Sequence, residues 1–186
     1  ASNFSFAVAG LGGTPNITSV SGSGTSWTVT VATGSGDGTL GLNLANSTGV
    51  SDAAGNPLSN VPFTGAVYTL DRTAPLVSAI AIIDSNPTNA ATVHYQVTFS
   101  ESVNGVTASN FGLVLGGGLG GAPAITSVTG SGTTWTVTAS TGTGSGTLGL
   151  DMNNSIGVAD GAGNSVANVH FTGSGYTLDR TPPTVA

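Results

Sequence analysis

The chain has 186 residues, room for one large or two small domains, with 38% hydrophobic residues and only 5% charged ones. Eight acids against two arginines and no lysine leave a net charge of −6, which repels phosphate backbones and offers anionic lipids no basic patch, so nucleic-acid partners are excluded while divalent cations stay open. No apolar run approaches the ~18 residues of a membrane span, so direct membrane insertion is not expected; without cysteine, stability must come from the core, the turns or bound ions.

Taken from the N-terminus, the first informative stretch is "ITSVSGSGTSWTVTVATGSGDGTLGLNL" (17–44), because it returns as "ITSVTGSGTTWTVTASTGTGSGTLGLDM" (125–152). Trp27 falls on Trp135, a shift of 108 positions that also carries "GVSDAAGN" onto "GVADGAGN" and Asp71-Arg72 onto Asp179-Arg180. The match runs ungapped from Leu11/Leu119 to Val77/Val185 with about two thirds of positions identical. A period near 100 residues is that of a self-sufficient β-sandwich, longer than the ~20–50 residues of solenoid or propeller repeats.

"YTLDRTAP" (68–75) recurs as "YTLDRTPP" (176–183) and contains the chain's only arginines, Arg72 and Arg180. It is the seam between units, stiffened by Pro75 and Pro183. Residues 1–73 then read as a partial unit lacking its first third, 74–181 as a complete unit, and 182–186 as the start of a next one. On this reading the chain is a window on a longer repetitive polypeptide. The partial unit is expected to expose sheet edges, to be paired by neighbouring repeats of the same long chain or by neighbouring subunits in a filament.

Beyond the seam, period-two alternation predicts seven strands in chain order: "VSAIAII", "VHYQVTF", "NFGLVL", "AITSV", "TWTVTA", "TLGLDM" and "SGYTL". Val93, Tyr95, Val97 and Phe99 are expected inward, as are Trp135, Val137, Ala139, Leu148, Leu150 and Met152, while His94, Gln96 and Thr98 face out. Trp27 and Trp135 read as core residues. Gly-rich and Asn-Pro joints separate the strands, and helix-period patterns are absent. Seven alternating strands bring the chain in at one pole, with the loops around Glu101, Gly130–Gly132 and Asp160, and out at the other, with Asp84 and Asp179.

"DRTAP", "NPTNAATVHYQVTFSESVNGVTASNF", "SGTTWTVT" and "DGAGN", in this order, resemble the bacterial Ig-like repeats of very large secreted or surface-anchored adhesins. The resemblance covers essentially the whole chain. It implies an all-β fold of tandem immunoglobulin-like β-sandwiches with about seven strands per complete unit, an extracellular or bacterial cell-surface location, and a stalk or adhesive role. It names no ligand. In such arrays calcium often stiffens the domain junctions, and here Asp71, Glu101 and Asp160 converge at the entry pole as an interdomain calcium site, with Asn164 and Asn104 as further oxygen donors. Set against this, Asp and Asn are ordinary turn residues, "DGAGN" by itself reads as an Asx-turn, and Arg72 can balance Asp71.

Arg72 and Arg180 are expected to hydrogen-bond neighbouring loops rather than to grip an acidic ligand. No catalytic constellation is legible: His94 faces outward, His170 is replaced by Pro62 in the other unit, and Cys and Lys nucleophiles are lacking. "GGGLGG" precedes a strand, not the helix a phosphate cradle needs. The expected function is therefore a non-catalytic structural or adhesive module, with a glycan- or protein-binding module acting through the loops of one pole as the alternative. The close likeness of "SDAAGN" and "DGAGN" favours the former.

Overall fold

The computed structural model describes residues 2–185 and is all-β, with one short 3-10 turn at Ala108–Asn110. The described residues divide after Thr73 into two compact units.

The first unit holds β1 (Phe4–Ala9), β2 (Asn16–Ser23), β3 (Ser26–Ala32), β4 (Gly38–Leu44) and β5 (Val67–Leu70). One antiparallel sheet has the order β1-β4-β5, with Phe4 opposite Leu44 and Leu40 opposite Tyr68; the other is the hairpin β2-β3, with Val20 opposite Val29. Leu40 is buried, but the apolar residues around it are only half-covered. Trp27 corrects the sequence expectation: it is 60% exposed and belongs to no closed core.

The second unit holds β6 (Val77–Ile82), β7 (Thr92–Val103), β8 (Phe111–Gly117), β9 (Ala124–Ser140), β10 (Gly146–Met152) and β11 (Phe171–Leu178). The segments "AITSV" and "TWTVTA", expected as two strands, are the two arms of the single element β9, which folds back on itself; Thr126 Oγ1 donates across it to Thr138 O at 3.2 Å. Gly130 lets the two arms approach closely. Its φ is 147°, and a Cβ there would lie 2.5 Å from Thr134 O and 2.6 Å from Trp135 Cα, closer than any side chain tolerates.

Two antiparallel sheets result, β6-β7-β9 and β11-β10-β8. Their inner faces share one core, consistent with a β-sandwich. From the first sheet come Val77, Ile80, Val93, Tyr95, Val97, Phe99, Val137 and Ala139; from the second, Phe111, Leu148, Leu150, Met152, Tyr176 and Leu178. Alternation along β7 and β10 thus has the phase the sequence predicts, and Trp135 packs half-buried at the core's edge.

The chain enters this unit at one end and leaves at the other. At the entry, Pro75 O accepts the N–H of Ala167 at 3.0 Å, Val77 N donates to Asn168 Oδ1 at 2.6 Å, and Asn104 bridges Ala159. At the exit, beyond Ile82, Asp179 N donates to Thr88 O at 3.0 Å and Tyr176 holds the Asp84 loop.

Because Leu150 is wholly enclosed and its counterpart Leu42 only half-covered, Leu150→Ala should cost the second unit about 2–5 kcal/mol, and Leu42→Ala should cost the first unit less than half as much. Denaturant titration read by hydrogen exchange at β10 and β4 separates the two values.

Candidate functional site

The paired arginines are clips. The Arg72 guanidinium donates to Gly36 O and to Thr33 Oγ1, the latter at 2.7 Å. Arg180 repeats this one period on, with Gly144 O at 2.6 Å and Thr141 Oγ1 at 2.5 Å, and adds Ala90 O at 3.0 Å. A planar fork with five donors suits loop ends where several acceptors converge. Their main chains are anchored too. Arg72 N donates to Asp37 Oδ1, and Thr73 Oγ1 to Asp37 Oδ2, so the first unit's last residues are tied to its 33–37 loop. Hydrogen bonding by Thr73, then by the Arg72 N–H, holds the Asp37 carboxyl below the ordinary aspartate range.

Asp160 organises the "DGAGN" loop. Its Oδ1 accepts the N–H groups of Ala162, Gly163 and Asn164 at 2.7–2.8 Å, and its Oδ2 accepts Asn164 Nδ2 at 2.8 Å. In the first unit Asp52 does the same work, taking Ala54 N and Asn56 N on Oδ1 and Asn56 Nδ2 on Oδ2. Both carboxyls are held low, chiefly by the side-chain amide four residues on. The Asx-turn reading of this motif describes the geometry in both units.

Of the predicted cation ligands in the second unit, Glu101 and Asp160 come together, with carboxylate oxygens within 4.8 Å of one another. Asp160 is buried and Glu101 half-buried. Asn164 turns its amide nitrogen to Asp160, so its oxygen is the atom a cation would take. Asn104, expected as an oxygen donor, is instead fixed by its backbone, whose N–H donates to Ala159 O at 2.8 Å. Asp71 belongs to the first unit, where its Oδ1 accepts the Thr73 N–H at 3.1 Å. His94 lies on the outer face of β7, its Nδ1 3.0 Å from Asp84 Oδ2.

Sequence reasoning missed an apolar groove of about 1210 Å³ in the first unit between β1-β4-β5 and β2-β3. Phe6, Trp27, Val29, Leu42, Tyr68 and Leu70 line it. Their alternation was readable, but it identifies a face and does not say whether anything covers it.

The sign of the Asp160 effect follows from its depressed pKa. The loop's contribution to stability is fully present above the unfolded aspartate value of about 3.9 and is lost as pH falls through the lower folded value. A carboxyl-carbon NMR titration should place the Asp160 midpoint below 3.9, and Asn164→Ala should raise it toward that value; an unmoved midpoint contradicts the network. The chain matches no protein-family model, no curated protein and no solved structure.

Proposed function

We propose that the chain is a non-catalytic structural module: tandem immunoglobulin-like β-sandwiches of an extended extracellular stalk, adhesin or filament. The carrying observation is that the second unit takes the chain in at the Pro75–Ala167 end and releases it at the Thr88–Asp179 end. A unit with its ends at opposite poles transmits tension along its length and joins a successor without doubling back. The recurrence of the arginine clip and of the Asp52/Asp160 loop supports the repeat reading, since spacers need the same joints in every unit. Among the described residues no helix is long and apolar enough to cross a membrane.

Pulling the full chain by its ends in a force microscope tests this. The second unit should open in one event that releases roughly 350 Å of chain, as about 108 residues at ~3.4 Å each allow. Opening in small graded steps contradicts a load-bearing module. Specific capture of a glycan through the 52–56 or 160–164 loops moves the assignment to the binding-module reading.

Calcium held within the second unit by Glu101, Asp160 and Asn164 completes the proposal. Glu101 and Asp160 hold carboxylate oxygens within 4.8 Å of one another, a separation that one shared cation spans. With a Kd of about 0.1 mM and ~1 mM calcium, the linkage amounts to about 1.4 kcal/mol, several degrees of melting temperature. Calorimetry with and without calcium should show that rise, and Glu101→Gln should abolish it. An unchanged melt in the parent protein overturns the calcium assignment.

A further inference from the structure

The two units share about two thirds of their residues over the matched span, so the closed one shows what the open one accepts. In the second unit the inner face of β8-β10-β11 is covered by β6 and β7, and β7 also pairs along β9, with Tyr95 opposite Val137 and Val97 opposite Trp135. Among the described residues the first unit has no strand matching β6 or β7. The residues those strands would meet are nonetheless in place. Val29 and Trp27 stand where Val137 and Trp135 stand, and Leu40, Leu42 and Tyr68 where Leu148, Leu150 and Tyr176 stand.

Tyr68 is the sharpest indicator. Tyr176 is wholly buried, and its hydroxyl accepts from Ile83 N at 3.0 Å and Asp84 N at 2.9 Å while donating to His94 O at 2.6 Å. Every one of those partners belongs to the β6–β7 hairpin. Tyr68 occupies the same register position opposite Leu40 and is 72% exposed. The outer edge of β3 is likewise unpaired within its sheet, which contains β2 and β3 alone.

We propose that the groove of the first unit is a docking site for a β-hairpin of the β6–β7 type carried by another repeat, which adds to the edge of β3 and closes the core. This rests on reading the units as repeats of one sandwich. The guest strand runs antiparallel to β3 with its Tyr95-equivalent opposite Val29 and its Val97-equivalent opposite Trp27. Main-chain bonding along the edge gives affinity, and alternate apolar side chains entering the groove give specificity. Within residues 1–186 the one such hairpin already closes the second unit, so an exchange between copies of this stretch leaves one groove open for each that it fills.

The test adds a synthetic peptide of residues 75–106 to the full 186-residue chain and follows amide hydrogen exchange by mass spectrometry. One-to-one binding with exchange in β3 slowed at least about tenfold, and β9 unchanged, supports the proposal. A control peptide carrying Tyr95→Asp and Val97→Asp should not bind. Tyr68→Phe in the chain should weaken the parent peptide about twofold to tenfold through the lost hydroxyl bonds. No protection of β3, or equal binding of the control peptide, overturns the proposal. So does a dimer of the chain alone in which β3 is protected and β9 loses protection, the signature of a second copy as donor. Failure of the repeat reading looks different: β9 and β10 of the free chain would then lack the protection of a closed core.

Discussion

An apolar sheet face is stable in water only when a second layer covers it, and two tyrosines mark how that cover is held here. Tyr95 on β7 crosses the core to donate to Leu148 O at 2.5 Å on the opposite sheet, and Tyr176 on β11 crosses the other way to donate to His94 O at 2.6 Å. Their rings meet edge-on, 5.2 Å apart at 73°, the arrangement that the ring quadrupoles favour. Burial pushes both phenols' pKa upward, so they stay neutral donors. The sheets are fastened by two reciprocal polar bonds in a core whose other buried members are Val, Leu, Ile, Phe, Met and Ala. Such bonds add register as well as energy, because a hydroxyl buried without its partner costs about 1–3 kcal/mol. A slip of either sheet by one residue would orphan both.

That constraint explains how two units identical at about two thirds of their matched positions reach different surfaces. The indole N–H of Trp27 donates to Gly24 O and that of Trp135 to Gly132 O, each at 3.3 Å, so the two hairpins hold their tryptophans in the same way. One ring is 60% exposed and the other packs on a core. The difference is not in the hairpin but in whether a β7 pairs alongside it. The same local chain chemistry thus builds the same hairpin in both units, and the burial of its tryptophan depends on the strand beside it.

This is also where legibility in the sequence stops. Alternation in "VHYQVTF" and "TLGLDM" identified the inward residues because period two follows from strand geometry alone. The Asx-turn of "DGAGN" was readable because a side chain bonding its own next few residues needs no tertiary partner. The arginine clip was readable as a seam from repetition, though its acceptors at Gly36 and Gly144 were not, since they depend on how the 33–36 and 141–144 loops fold back. Burial of Trp27 was misjudged for a related reason: an inward position is a local property, whereas burial belongs to a pair of sheets. Joining "AITSV" and "TWTVTA" into the single element β9 turned on β7, whose Val103 pairs with Gly132 at the hairpin tip; the same hairpin in the first unit stays two strands.

The scarcity of charge then takes on structural meaning. Both guanidinium groups bind loop oxygens, and the carboxylates of Asp37, Asp52 and Asp160 accept hydrogen bonds from their own unit. These ions lie at joints, where strands end and several backbone groups would otherwise lack partners. The outward positions of β9 and β3 carry Thr instead, which hydrates through a hydroxyl and favours strands through its β-branch. A face of this kind gives little long-range steering toward charged partners. What it can recognise lies at short range, through main-chain edges and apolar registers, and an open β3 beside a groove lined by Trp27 and Tyr68 presents both.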